Sequence, residues 1–564
     1  MKTSKLLPLI ALAFPMATAM AGAVPLSSTA VPGTIAAAHV SGLRDAGRAS
    51  NNTRIDVAVE LGYRHSTELG VLISAQRDAA SGVYRRFLTR QQFRNYFAAS
   101  PETYAAAAAA LRSAGFQVET FPNRTIVHAI GSPQTAEHYF RTEIHKVILP
   151  DGRTAYANVR PAVIPRELAG ARVEGLNNIA QLRAASSVRV GSPQRSARVA
   201  GPLFGPDGGF GPVAIAQTED FPVQHGYTGT NVNTADLIDG NVVDADVTSF
   251  LGYYGIKRTG PRTTRLRIDG GCGTACFDTS QADIDAEWAL AMAPGTSMFT
   301  YQMRSLANIY IVDAFNRVAS DDAVDVVNFS VGGCEVNLFD LVLALQPLVA
   351  QGAAQGISYE NVAFGGVNAC TLGLPLPQAP ADFDTATAIG GSNVVVDQLG
   401  RFLAETGYPG SNGGVSVIVP LPPWQGKTPG VNRSGRNVPD LVLPAQVDGT
   451  GPSIYAFGAW IGGFPFVNNA PFAGYLATVQ QMNGGRIGNA APLIYSVFNK
   501  RGYSSGGQLY FRDVTLGCNG VLSGKPVCAR PGYDFTGGIG SLGSGYNVAR
   551  QMLTGPIVPP FAVK

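Results

Sequence analysis

The stretch "AVDVVNFSVGGCEVNLFDLVLALQPLVAQGAAQGISYENVAFGG", residues 323–366, decides how the C-terminal part of this 564-residue chain folds. Residues 323–333 read as a strand, 339–356 as a long helix, and 357–366 as a second strand ending in a double glycine. A strand, a helix and a strand in direct succession fit a right-handed crossover between parallel strands. The alternation continues upstream. "NTADLID" (233–239) and "SMFTYQM" (297–303) read as strands, and "DADVTSFLGYYGI" (244–256), "QADIDAEWALAMAP" (281–294) and "IYIVDAFNRVAS" (309–320) as helices. From about residue 211 onward the expectation is therefore an α/β domain, a largely parallel sheet between helices, with functional groups gathered at the carboxyl ends of its strands.

Residues 55–181 have a different texture. "RIDVAVELGY" and "RTIVHAIGS" read as strands, and "TRQQFRNYF", "PETYAAAAAALRSAGF" and "SPQTAEHYFRTEI" as helices, two of them opened by Ser-Pro. This is a compact α+β unit. Between the two units, residues 184–210 are Ser-, Arg- and Gly-rich without an apolar period, and read as an exposed linker that is either a protease-sensitive site or a simple tether. Residues 22–50 read as a loose N-terminal segment.

Lys2 and Lys5, the apolar run 6–13 and the small residues 19–21 compose a secretory signal, residues 1–21. No later run of about 18 uninterrupted apolar residues predicts a membrane span. A formal net charge of +3 argues against nucleic acid as a partner. The six cysteines suit an exported chain, and pairing of neighbours is the simplest of 15 possible connectivities. A zinc site is the weaker alternative, since no CxxC is present.

Five of the six histidines precede the α/β domain; His225 alone lies within it, in a loop with no acid aligned to orient it. A Ser-His-Asp triad is therefore not expected. A hydrolytic nucleophile in this domain would need a carboxylate as its base. Asp283, Asp285 and Glu287 share one helix, with Asp283 and Glu287 on one face and Asp285 roughly opposite; the plainest reading is a solvated helix face. Asp513 and Asp534 sit beside Gly-rich turns, either as local caps or as ligands for a hard cation. "AWIGGFPFVNNAPFAGYLATVQQM" (459–482) is a sharp turn running into a helix, the kind of mount on which a nucleophile is displayed, yet no Ser, Thr or Cys follows until Thr478.

These segments, in this order, resemble the sedolisins, the serine-carboxyl peptidase family that includes kumamolisin. "YRRFLTRQQFRNYF", "LRSAGFQVE" and "VIPRELAGARVEGLNN" resemble the family's activation prodomain, here residues 22–183. "DIDAEWALAMAP", "VVNFSVGGCE", "FDTATAIGGSNVV", "ETGYPGSNGGVS", "NVPDLVLPA", "PFAGYLATVQQMNGGRIGNAAPLIY", "RDVTLG" and "GYDFTGGIG" resemble its peptidase domain, here 211–564. The resemblance implies a subtilisin-like fold. It also implies four catalytic groups: a Ser nucleophile, a Glu base, an Asp orienting that Glu, and an Asp stabilising the oxyanion. Carried over by position, the orienting Asp is Asp285, but the Glu position holds Gln281, and the oxyanion Asp falls at Gly366 or a neighbour. The Ser falls at Pro465 counted from Gly462-Gly463, or at Val467 counted back from Pro471.

The resemblance further implies Ca²⁺ bound by Asp513, Val514, Arg530, Gly532 and Asp534, with Cys518 and Cys528 bracing that loop and Cys334 paired with Cys370. The expectation is a secreted, monomeric pseudopeptidase that keeps fold, prodomain and calcium, and acts by binding a peptide or protein. The alternative is an acid endopeptidase using substitute groups, with Asp283 or Glu287 as acid and Ser297 or Ser330 as hydroxyl. A structural surface component is a third reading. Phe464 and Phe466 are expected to fill the cleft.

Overall fold

A computed structural model of the chain describes residues 43–150, 152–179, 182–184, 203–273, 276, 279–367, 370, 372–461 and 468–554. The signal segment, the Arg-rich part of the linker (185–202) and the turn 462–467 lie outside the described residues. So do Pro465 and Val467, and Phe464 and Phe466.

The N-terminal unit is built from two antiparallel sheets. One has strands in the order Gln117–Thr120, Ile126–Gly131, Ile55–Glu60 and Arg172–Glu174; the other joins Arg44–Arg48, Ile144–Ile148 and Thr154–Asn158. Its helices begin where local chemistry says they should. Ser100 and Ser132 each accept a hydrogen bond from the backbone N–H three residues on, with Pro at the first helical position, and Thr89 and Gln92 form a reciprocal capping box. The segment from Arg44, read as loose, is instead an exposed edge strand.

The large domain holds a ten-stranded sheet. Along it run Thr264–Arg267, Ser297–Gln302, Asn233–Ile238, Val326–Phe329, Ser358–Val362, Ala386–Val396, Leu441–Val447 and Ser541–Leu542, each parallel to the next. Phe511–Arg512 and Phe402–Gly407 add antiparallel partners at the far side. The inner strands of such a sheet are buried on both faces, which is why they are largely apolar. The helices Thr279–Met292 and Asn469–Asn483 approach closely because Gly474 has no side chain: a Cβ there would lie 2.5 Å from the Ala289 carbonyl oxygen.

The linker reading fails at its end. Phe204 and Phe210 are buried in the large domain, and the Phe210 N–H donates to Gly451 O at 2.9 Å. Their apolar area outweighs the polar, Gly-rich composition that suggested exposure. At its start, Arg183–Ala184 pairs antiparallel with Val331–Cys334 of the large domain.

The two units share a core. Ala58, Phe121 and Ile126 of the N-terminal unit belong to the same contiguous apolar cluster as the large domain's Trp288, Phe315 and Tyr359. Around it, Leu88 N–H donates to Ala354 O at 2.9 Å and Asn123 Nδ2 to Asn316 Oδ1 at 2.8 Å. The apolar helix Phe339–Ala354 lies inside this contact, packed by the helix Ser66–Arg77 on one side and by Asn308–Asp321 on another.

Candidate active site

A polar row crosses the otherwise apolar sheet. Thr300, Asp236, Asn328, Glu360 and Thr387 occupy directly opposite positions on five adjacent parallel strands, so their side chains share one face, and all five are buried. Asp285 reaches this face from the helix Thr279–Met292. Ser330 Oγ donates to Asp285 Oδ1 at 2.8 Å, and Asn328 Nδ2 donates to Asp236 Oδ1 at 2.9 Å. A hydrogen bond also joins Asp236 to Asp285, which two carboxyls can make only when one carries a proton. Burial pushes Asp236 up to about 7 and holds Glu360, which feels both aspartates, well above the usual carboxylate range.

The three acids of the helix are fully buried, so the solvated-face reading is wrong. The division into two faces holds. Asp283 Oδ1 accepts from Val243 N–H at 2.6 Å, and Glu287 accepts from Tyr455 N–H at 3.2 Å, both away from the polar row. Each acid is used as a cap for a neighbouring loop, and burial lifts the pKa of both, Asp283 to about 7.

Gln281 sits one helical turn before Asp285, and its Nε2 donates to Asp285 Oδ1 at 3.0 Å. The amide therefore contacts Asp285, the acid to which the resemblance gives the orienting role, but it offers no proton-accepting group near neutral pH. Gly366 adopts φ +72°, its N–H donates to Gly410 O at 3.1 Å, and its carbonyl accepts from Asn412 Nδ2 at 3.0 Å. A Cβ there would sit 3.0 Å from Pro409 O, and the positive φ strains any side chain at this position.

The far anchor of the nucleophile turn is visible, and two consecutive asparagines hold it. Asn468 Nδ2 donates to Gly390 O at 2.9 Å, and Asn469 Nδ2 donates to Ser330 Oγ at 2.6 Å and to Asn328 Oδ1 at 2.7 Å. Ser330 is thus full: its proton goes to Asp285, and its oxygen accepts from Asn328 Nδ2 at 3.2 Å and from Asn469. A hydroxyl with both lone pairs engaged by N–H donors is a structural link, not a nucleophile. Ser297 opens its strand opposite Asn233, at the amino end of the sheet and away from this cluster. Asp236, Asn328 and Asn469 escape a reading of the sequence, because their convergence depends on strand register and a loop anchor. For the first two, a polar residue inside a buried strand is the available signal.

His225 does have an acid partner, contrary to expectation: Nε2 lies 2.7 Å from Asp220 Oδ1, and the ring stacks on Tyr546. This pair is partly exposed and no hydroxyl is bonded to the imidazole among the described contacts.

All six cysteines are paired, Cys272–Cys276, Cys334–Cys370 and Cys518–Cys528, which disposes of the zinc alternative for them. The Cys518–Cys528 hairpin docks on the Gly366 turn through Val367 N–H to Asn519 O, 3.1 Å. In the adjacent loop Asp534 Oδ1 accepts from Thr536 and Gly537 N–H and Oδ2 from Arg530 N–H, while Asp513 Oδ2 accepts from Gly532 N–H at 2.9 Å. A Cβ on Gly537 would lie 3.6 Å from Val514 O and 3.8 Å from Asp534 Oδ1, so carbonyl and carboxylate converge on a space that glycine keeps open. Two carboxylates and carbonyl oxygens on one closed loop are a donor set that fits calcium.

A subtilisin-like parallel sheet with a docked α+β unit is the scaffold of the serine-carboxyl peptidases that the sequence resembles, and comparison with known proteins agrees. Residues 41–177 match the family described as Pro-kumamolisin, activation domain. The chain is 27% identical to sedolisin of Pseudomonas sp. (strain 101) over 86% of its length and 85% of that protein. It is 25% identical to xanthomonalisin of Xanthomonas sp. (strain T-22), over 94% of its length and 68% of that protein. Among solved structures, Pseudomonas sedolisin complexed with two molecules of pseudo-iodotyrostatin matches with a TM-score of 0.53 and 25% identity, covering 62% of this chain and 99% of that one. The chain is thus similar to the sedolisins over most of its length, and its N-terminal unit to the activation domain of pro-kumamolisin.

Proposed function

We propose that this chain is a catalytically silent member of its family, a pseudopeptidase that binds a peptide or protein segment in the former cleft. The observation that carries the reading is Gln281: its amide, at the position the resemblance gives to the general base, is hydrogen-bonded to Asp285. Gly366 and the engaged Ser330 support it. Binding is favoured over a purely structural role by aromatic side chains beside the turn. Trp460 packs against Phe250, Tyr253, Tyr254 and Tyr455, and Tyr253 and Phe457 are exposed. Tyr and Trp in partly exposed groups are the residues that anchor protein and peptide ligands.

The test incubates the purified chain with a denatured protein between about pH 3 and 7, the range in which a carboxylate base would act, and follows fragments by mass spectrometry. No cleavage of substrate or linker is expected. Cleavage that disappears in Asp285→Ala would overturn the reading. Retention of fluorescent oligopeptides without turnover would support it.

Two further assignments belong to this proposal. Calcium would be held by Asp513, Val514, Arg530, Gly532 and Asp534, where it would fasten the C-terminal loop and take no part in chemistry. Export through the segment 1–21 is supported by the full pairing of the cysteines, which suits an oxidising compartment. Terminal sequencing of protein recovered outside the cell would check the second.

A further inference from the structure

His128 lies on the prodomain strand Ile126–Gly131, yet its ring is fully buried against the peptidase domain. Its Nδ1 is 2.5 Å from Asp313 Oδ2 and 3.7 Å from Asp269 Oδ1. Asp313 belongs to the helix Asn308–Asp321, and Asp269 follows the strand Thr264–Arg267. The three donor atoms all lie within 4.8 Å of one another, and no other such group of His, Cys, Asp or Glu occurs among the described residues.

The other side of the ring is fixed. Nε2 lies 3.1 Å from Asp56 Oδ1, and Asp56 is itself gripped by Arg54 Nη2 at 2.7 Å, by Arg54 Nε at 2.8 Å and by the Tyr310 hydroxyl at 3.0 Å. A carboxylate held in this way accepts the Nε2–H hydrogen bond and fixes the ring with Nδ1 facing Asp313 and Asp269. Metal-binding histidines are oriented by that same relay.

Independently, two carboxylate oxygens of the group are buried without a hydrogen-bond partner, Asp269 Oδ2 and Asp313 Oδ1. The side chains that carry them are 4% and 1% exposed. A buried carboxylate oxygen left unbonded costs roughly 1–3 kcal/mol or more. Once the Nδ1 proton is released, a neutral imidazole and two carboxylates make a set whose charge a dication balances.

We propose that His128, Asp269 and Asp313 form a divalent transition-metal site of the zinc class that fastens the prodomain to the peptidase domain. Imidazole nitrogen and carboxylate oxygen are both zinc ligands. On entry of the ion the proton between Nδ1 and Asp313 leaves to solvent, and those two atoms separate to about 3.3 Å around bonds of about 2.0 Å. The site does not depend on whether the peptidase domain is silent.

The experiment uses the full-length chain, stripped with a chelator and returned to calcium-containing buffer. It is titrated with ZnCl2 by calorimetry and with CoCl2 by visible absorption. One equivalent of zinc is expected, with proton release, a higher melting temperature, and cobalt bands of a four-coordinate nitrogen–oxygen site. Asp269→Asn should weaken zinc about 100-fold, and Asp56→Asn about 10-fold or more. No zinc uptake by the parent protein would overturn the proposal, as would uptake undiminished in both Asp269→Asn and His128→Gln. Should the variants fail to fold, the cobalt spectrum of the parent decides alone, and absence of the four-coordinate bands would overturn the site.

Discussion

Gln281 and a glutamate differ by one terminal atom, an NH2 in place of an oxygen, and the surroundings favour the amide. Its Nε2 donates to Asp285, which already shares a proton with Asp236 and lies near Glu360. Gln281→Glu therefore adds a fourth carboxyl to a dry acidic cluster. It should bring no peptidase activity, because Gly366 still lacks a carboxylate. It should also destabilise the chain by about 1–3 kcal/mol at neutral pH. The loss should be smaller near pH 4, where the introduced carboxyl is protonated and can again donate; urea melts at the two pH values measure this. Recovery of activity would place a working nucleophile in the chain. Ser330→Ala should cost a similar 1–3 kcal/mol by stranding Asn328 and Asn469. The proposed losses at 281 and 366 rest on the sequence, where each is a change of residue type inside flanks that resemble the family's. The polar cluster beside them is not legible, because Asp236, Asn328 and Asn469 meet only through register and folding.

Among the elements, those with side-chain caps or a long apolar period are legible. The Ser-Pro helices and the core strands fall within a few residues of where their sequences place them. The helix Ser66–Arg77 has no comparable signal: it starts after His65 in the left-handed region with no side-chain cap, and carries Gly70 in its interior. Gly70 and Gly474 make opposite predictions for one substitution. Gly70 is exposed with nothing near a new Cβ, so Gly70→Ala should stabilise by up to about 1 kcal/mol. Gly474→Ala drives a methyl into the Ala289 carbonyl and the Met292 side chain, and should cost about 1–3 kcal/mol. The calcium proposed for the C-terminal loop would make that element ligand-dependent. Calcium at 100 times its dissociation constant should contribute about 2.7 kcal/mol. Removal with EGTA should lower the melting temperature of the parent, and Asp534→Asn should melt at the same temperature with or without calcium.

For the molecule as a whole, pH is the decisive variable, because folding buries many carboxyls without giving each a cation. In the prodomain, burial pushes Glu60 up to about 7 despite Arg172 beside it. Burial takes Glu174 to about 8, with Asp340 and Glu60 adding to the rise and Arg172 opposing it. In the peptidase domain burial lifts Asp283 to about 7, against the Val243 N–H and with Asp246 adding to it, and Asp236 stands at about 7 as well. Glu219, Glu287 and Glu360 are held well above the usual range by burial. A carboxyl with a folded pKa above its unfolded value holds its proton more tightly in the folded chain. The folded chain then carries more protons than the unfolded one between about pH 4 and 8, and stability falls as pH rises through that window. Each such group contributes up to about 1.4 kcal/mol per pH unit where the folded form still holds its proton and the unfolded form has lost it. The chain should therefore melt highest in the mildly acidic range and lose stability steadily toward pH 8, the reverse of a protein held by carboxylates in ion pairs. Calorimetric scans at unit pH steps, in constant calcium, measure this; a melting temperature that rises from pH 5 to 8 would contradict it. Glu174→Gln isolates one contribution, since it removes a buried ionisable group and should flatten the slope between pH 6 and 8 while leaving the acid-side melting temperature nearly unchanged.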